Sequence, residues 1–137
     1  MDSKVCYIYL LMIYFVYGTL KKNHRLNWIL EESEFIGECE TLHSNFDIKD
    51  FSHGCFPIVY RREPGYKIKG EAYKLRGDVE RSVHLLEIGA GYKPAEIKIN
   101  KEVSEKCIMF VYPEEPTIAI SDSFISTRDN IKEWLNP

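Results

Sequence analysis

Apolar and polar positions alternate along this chain in short runs that glycine, proline and asparagine interrupt. The longest apolar run, Val5 to Tyr17, covers about 13 residues and ends at Gly18-Thr19. Its second half, Ile13-Tyr14-Phe15-Val16-Tyr17, is β-branched and aromatic, which predicts a buried strand feeding a glycine turn. From Asn23 to Glu32, Leu26, Ile29 and Leu30 recur at helical spacing and predict a short amphipathic helix. Glu34 to Thr41 alternates toward a strand, in which Gly37 marks a bulge or close backbone packing. Asn45 to Ile48 is a further short strand. Ser52 to Val59 reads as a loop leading into an edge strand, because Pro57 cannot donate to a ladder. Pro64-Gly65 closes a polar turn. Lys67 to Leu75 alternates cleanly and predicts a half-buried strand with Glu71 facing outward.

Gly77-Asp78 opens a helix with Asp78 as its N-cap. Val79, Val83, Leu86 and Ile88 form its apolar face, through about Glu87, and Gly89-Ala90-Gly91 stops it. Tyr92 to Asn100 alternates again, with Ile97 and Ile99 inward. Cys107 to Tyr112 is a buried strand, Pro113 to Pro116 a turn, and Thr117 to Ile120 a short strand. Ser126 or Thr127 caps a last helix through Leu135, with Ile131, Trp134 and Leu135 on one side. Residues 121–137 thus read as a C-terminal helix or tail. The mixture is α+β.

Length and charge narrow the picture. A chain of 137 residues without repeats, low-complexity tracts or linkers reads as one domain, 1–137. The net charge of −3, with basic residues only scattered or paired, gives no electrostatic reason to expect nucleic acid. Val5–Tyr17 is shorter than the roughly 20 residues a membrane span needs. A secretory signal wants a basic start and a small-residue cleavage site, whereas Lys4 is the only positive charge before the run and Tyr7-Ile8-Tyr9 is a poor signal core, so neither membrane nor export is expected. Cys6, Cys39, Cys55 and Cys107 are too dispersed for a zinc site. Buried free thiols in a reducing compartment, the cytoplasm, are the expectation.

Two places offer chemistry. The turn after Tyr17 can aim the backbone N–H groups of Gly18, Thr19 and Leu20 at one oxygen, and the glycine allows close approach. In Leu85-Leu86-Glu87, a carboxylate follows two leucines. Facing a pocket, it would be desolvated and able to give and take a proton near neutrality. The residues alone fit a solvent-facing glutamate at a helix end better. Tyr17 and Tyr92 are pocket walls, hydroxyl donors or plain core aromatics. His53 reads as a solvated loop residue. There is no nucleophile elbow, P-loop or dinucleotide fingerprint. Cys55 with His53 or His84 stays open as a nucleophile and base, though nothing visibly activates the thiol.

Tyr17-Gly18-Thr19-Leu20 near a chain start resembles the signature loop of the gamma-glutamylcyclotransferase-like family. Phe35-Ile36-Gly37-Glu38, Lys69-Gly70-Glu71-Ala72-Tyr73, and Leu86-Glu87 with Tyr92 resemble further blocks of that family, in the same order. The segment around Phe56-Pro57 resembles one that lies beside the family's ligand pocket. Family members typically begin as Met12 to Gly18 do, so residues 1–11 read as an N-terminal extension, with Met12 an alternative start to Met1. The resemblance implies a small mixed β-barrel, closed or nearly closed, with peripheral helices. It implies a pocket where the Gly18 turn meets the Glu87 helix end. Glu87 would be the acid–base, with Tyr17, Gly18, Thr19, Leu20 and Tyr92 as substrate-binding residues and no metal or organic cofactor.

The implied reaction is intramolecular aminolysis of a γ-glutamyl amino acid or γ-glutamylamine, releasing 5-oxoproline and an amine. The partner would be a small-molecule substrate, and a monomer is the default oligomeric state. One departure stands out: the family often has Arg two residues beyond the tyrosine, where this chain has Pro94. The alternative is a non-catalytic small-ligand-binding protein on the same fold. A third reading is an interaction protein using residues 1–11 and the Trp134 helix.

Overall fold

The computed structural model describes residues 12–136. The expectations for residues 1–11 (an N-terminal extension, Met12 as an alternative start, a reduced Cys6 and an interaction face) lie outside them. The elements run β1 (Met12–Val16), a 3₁₀ turn (Asn27–Leu30), β2 (Glu34–Glu40), β3 (Phe46–Phe51), β4 (Phe56–Arg61) and β5 (Lys67–Leu75). Then come α1 (Gly77–Gly89), β6 (Lys93–Ile97), β7 (Cys107–Val111), β8 (Ile120–Ser121), β9 (Ile125–Arg128) and β10 (Ile131–Trp134). The fold is α+β and dominated by a mixed sheet. Among the described residues no helix is long and apolar enough to cross a membrane.

The larger sheet has the order β6-β7-β1-β5-β10-β9, with β2 also on β5. β1 is antiparallel to β5 and parallel to β7, so it lies inside the sheet. That placement explains its unbroken apolar sequence, because both of its faces are covered. Ile13, Phe15 and Tyr17 enter one core with Ile48, Val59, Ile68 and Trp134. Tyr14 and Val16 enter a second core with Leu30, Ile58, Val83 and Phe110. This division is the two-residue period of a strand. β3, β4 and β8 form a smaller antiparallel sheet.

The sheet does not close into the expected barrel. The chain just after β2 and the chain just after β6 approach each other at an isolated bridge between Thr41 and Ile99. Leu42 N donates to Lys98 O (2.8 Å) and Asn100 N to Glu40 O (3.0 Å) beside it. β5 carries three partners, β1, β2 and β10, so the sheet branches there instead of running round a single ring. Gly37, at φ +143°, forms the bulge in β2.

The expected C-terminal helix is a β-hairpin. β9 and β10 pair antiparallel with Arg128 opposite Ile131, so Asp129-Asn130 is the connecting turn. Asp129 takes the left-handed conformation, φ 56°, that Asp and Asn tolerate best. In β10, Lys132 and Trp134 point inward, and Trp134 is only 1% exposed. Trp134 therefore offers no interaction surface. Its Nε1 donates to Asp50 Oδ1 (2.6 Å), and Phe124 N donates to Asp50 Oδ2 (2.6 Å). Lys132 Nζ donates to Asp47 Oδ1 (2.8 Å), which also accepts from Ile48 N (2.8 Å). Burial works against ionisation of Asp47, but these donors and Arg62 outweigh it and hold the carboxyl below its usual range.

Other expectations also shift. The segment Asn23–Glu32 forms one 3₁₀ turn, not a helix, because Leu26 N and the Asn27 side chain bond back to Thr19 O and Leu20 O. Asp78 is not the N-cap of α1; Arg76 holds that position, and no side chain caps it. Asp78 instead sits in the first turn, paired with Arg76. The short strand expected at Thr117–Ile120 is Ile120–Ser121. Most of β5 is buried, and Glu71, expected outside, is 8% exposed. The chain after Tyr17 covers it: Glu71 Oε1 accepts from Lys22 N (2.9 Å) and from Tyr73 Oη (3.1 Å). Cys39 and Cys107 are buried free thiols, pushed up to about 11 and about 12 by burial, whereas Cys55 is exposed.

Because Asp50 alone receives both Trp134 Nε1 and Phe124 N, Asp50→Ala should destabilise the protein by about 2–3 kcal/mol. Asp122→Ala, which removes an exposed pair with Lys49, should cost no more than about 1 kcal/mol. Urea unfolding of the two variants checks this; equal effects would contradict it.

Candidate active site

A cavity of about 180 Å³ opens where the end of β1, the turn after it, the start of β4 and the end of α1 meet. Tyr17, Gly18, Thr19, Leu20, Glu87 and Tyr92 all line it, so the structure brings the six expected residues together. The rest of the lining is largely apolar and includes Phe56, Pro57, Leu86 and Phe110. A mostly apolar hollow with a few polar groups is the usual form of a small-molecule site.

The turn is held tightly. A Cβ at Gly18 would sit 2.6 Å from Pro57 Cγ and 2.8 Å from Cδ, so no side chain fits unless Pro57 moves. Lys21 N donates to Gly18 O (3.0 Å), and Leu26 N donates to Thr19 O (3.0 Å). The Lys21 side chain is buried and donates to Trp134 O (2.8 Å). Burial lowers its pKa, against the pull of Glu133 and Glu71. Among the described residues, the N–H groups of Gly18, Thr19 and Leu20 donate to no protein acceptor. Unpaired backbone donors in buried chain are costly, and here they border a cavity in which a ligand can accept from them.

Glu87 lies in the last turn of α1 and is half-buried. Its carboxyl is pushed up to about 7, and burial is the cause. No cation holds it down, and among the described residues it makes no ion pair. A carboxyl poised there can both accept and release a proton at neutral pH. The helix end that carries it is fixed by Tyr92 N donating to Glu87 O (3.0 Å). Tyr17 Oη donates to Phe110 O (2.6 Å) and Tyr92 Oη to Pro57 O (2.7 Å). With these protons engaged by the backbone, the two tyrosines present rings as walls and are not free hydroxyl donors. Burial raises both phenols above their ordinary value.

Helix α1 buries only Val83 fully, so polar contacts do much of the work of holding it. Tyr14 Oη donates to Glu80 Oε1 (2.6 Å) and lies 2.6 Å from His84 Nε2. With the imidazole proton on Nε2, His84 donates to the Tyr14 hydroxyl oxygen. Phe110 packs on Tyr14 and on His84 and also lines the cavity. His84 is thus engaged on β1. Neither Cys55 nor His53 lines the cavity; both are exposed. The sequence reading missed Arg25, Phe110 and Leu86 as lining residues. Arg25 looks like any solvated residue in a polar stretch, and only the folding-back of residues 24–27 brings it to the cavity.

A family model described as gamma-glutamyl cyclotransferase, AIG2-like matches residues 14–133. A Pyrococcus horikoshii protein provisionally named as a gamma-glutamylcyclotransferase is 30% identical over 88 residues, 60% of this chain and 65% of that protein. That alignment spans just under two thirds of the relative's length. A Pyrococcus horikoshii crystal structure superposes with a TM-score of 0.64 at 24% identity, covering 82% of this chain and 86% of that one. An AIG2-like protein from Mus musculus gives 0.68 at 17% identity, covering 80% and 82%. An allophanate hydrolase from Kluyveromyces lactis gives 0.63 at 16% identity, covering 76% of this chain but 18% of that chain. These structural likenesses show the fold. The family match shows more: the chain belongs to the gamma-glutamyl cyclotransferase, AIG2-like family.

The raised Glu87 pKa has a stability consequence of definite sign. Between the unfolded value near 4.5 and the folded value near 7, the folded state holds a proton that the unfolded state has lost. Stability contributed by neutral Glu87 is therefore present at low pH and is lost as pH rises through about 7. At pH 8, Glu87→Gln should be more stable than the parent by about 1–3 kcal/mol, with the difference vanishing below about pH 4.5. Thermal melts from pH 4 to 8.5 read this. Tyr14→Phe, which leaves Glu80 and His84 without their shared hydroxyl, should cost about 1–3 kcal/mol in the same assay.

Proposed function

From that family membership, we propose that this chain is a cofactor-independent gamma-glutamylcyclotransferase. It converts a γ-glutamyl amino acid or γ-glutamylamine to 5-oxoproline and a free amine. The observation that carries the reading is the pairing in one cavity of a carboxyl lifted to about 7 with backbone amides that have no protein acceptor. The first suits proton transfer at neutral pH, and the second suits oxygen atoms bearing negative charge.

In the proposed reaction the substrate's α-amine attacks its own γ-carbonyl carbon. A new C–N bond closes a five-membered lactam, and the original C–N bond to the leaving amine breaks. Ionised Glu87 takes the proton from the attacking nitrogen and hands it to the departing one, so the carboxylate is regenerated. The amides of Gly18, Thr19 and Leu20 receive the substrate carboxylate and the oxyanion of the tetrahedral intermediate. The apolar walls, Tyr17 and Tyr92 among them, fold the glutamyl chain so that amine and carbonyl meet. Well-oriented intramolecular reactions reach effective molarities on the order of 10⁵ M or more, and proton transfer adds roughly 10²–10⁴-fold. The buried thiols Cys39 and Cys107 support placing this activity in the cytoplasm.

The rival is a non-catalytic binder on the same fold, since a fold hosts several functions. Glu87 separates the two, because a binder has no use for a carboxyl kept without a charge partner. The test is incubation of the protein with γ-glutamyl dipeptides and γ-glutamylamines, followed by assay for 5-oxoproline. The parent should form product, with kcat rising through about pH 7 as Glu87 ionises. Glu87→Gln should lose about 10²-fold or more. Product from both proteins at equal rate, or from neither, would count against the reading.

A further inference from the structure

The cavity holds one cationic side chain, Arg25, as well as the carboxyl of Glu87. The two are not a pair. Among the described residues no ion pair joins the guanidinium to the carboxyl. Arg25 is exposed whereas Glu87 is half-buried, which puts the cation at the mouth and the acid deeper in. The backbone under Arg25 is fixed: Leu26 N donates to Thr19 O (3.0 Å) and Asn27 N to His24 O (3.1 Å). Among the described residues, Arg25 takes part in no ion pair. A rigidly based guanidinium with its fork unused, at the edge of an apolar hollow, is a receptor for a carboxylate.

The cavity therefore has two separate devices for oxygen anions, the amides after Tyr17 and the Arg25 fork. A γ-glutamyl group carries only one carboxylate. With the glutamyl end folded against Glu87, the second device is left for the part of the substrate that reaches the mouth, the leaving amine. We infer that Arg25 reads a carboxylate on the leaving amine, so that γ-glutamyl amino acids or peptides are preferred over γ-glutamyl derivatives of uncharged alkylamines. This inference rests on the cyclotransferase reading for the orientation of the substrate.

The experiment compares γ-glutamyl-alanine with γ-glutamyl-ethylamide on the parent, Arg25→Gln and Arg25→Lys. The parent should favour the dipeptide roughly tenfold in kcat/KM, mostly through KM, as a partly exposed charge-assisted contact allows. In Arg25→Gln that ratio should fall toward one, and Arg25→Lys should keep part of it. No preference in the parent overturns the inference. So does an equal loss on both substrates, which would mean that Arg25 holds the glutamyl carboxylate or merely supports the loop. Calorimetric binding of both compounds to Glu87→Gln, with and without Arg25→Gln, separates the two levels. If the parent makes no 5-oxoproline, the cyclotransferase reading fails. The part assigned to Arg25 then stands only if the dipeptide binds more tightly and Arg25→Gln erases the difference.

Discussion

The desolvation of one carboxyl governs how this molecule is to be understood. The described chain buries other acids, and the contrast is instructive. Asp47 receives Lys132, Ile48, Arg62 and Tyr60; Asp50 receives Trp134 and Phe124; Glu71 receives Lys22 and Tyr73. Each is satisfied in the way buried polar groups require. Glu87 is the exception, raised by burial with no donor or cation set against it. Structural carboxylates gather partners, whereas an unaccompanied one beside a cavity is the pattern of a group whose protonation has to change.

What keeps that carboxyl opposite the glycine turn comes from both ends of the chain. The hairpin β9–β10 is locked to β3 through Asp47 and Asp50, and its Trp134 carbonyl then accepts from Lys21. The Trp134 ring also lies 3.9 Å from where a Cβ on Gly18 would be. Residues 131–134 thus brace residues 18–21, more than a hundred positions away. On the opposite wall, α1 relies on Tyr14 of β1, the strand that delivers the turn. Turn and acid are referred to the same strand, so the distance between them resists change even though α1 itself is thinly buried.

How much of this could be read in advance follows the range of the forces involved. β1, the bulge at Gly37 and the end of α1 before Gly91 are set by local preference and periodicity, and the sequence shows them. The hairpin at 125–134 was misread because Ile131, Trp134 and Leu135 fit a helical stripe as well as a strand. The deciding residues were Asp129-Asn130, whose turn chemistry outranks a stripe of three. Glu71 was placed outside because alternation says nothing about a loop folding over a strand. Glu87 looked ordinary beside Leu85 and Leu86 for the same reason, and only the resemblance to relatives singled it out. Arg25 carried no local signal at all. Most strands were legible; their pairing was not, because it depends on distant contacts such as the third partner that makes the sheet branch at β5.

A small, open fold can host the proposed cyclisation because the demanding part of that reaction would be carried by the substrate. Nucleophile and electrophile belong to one short chain, so the protein need not bring two molecules together. It has only to suppress extended conformers, which apolar walls do without directional bonds, and to move one proton between two nitrogens. A single carboxyl near neutrality suffices for that, and stronger acids or bases would stall at one half of the transfer. Discrimination among substrates then cannot come from the glutamyl group they share. It has to come from the region the leaving amine occupies, and there the exposed mouth, with its one guanidinium, differs in character from the apolar interior.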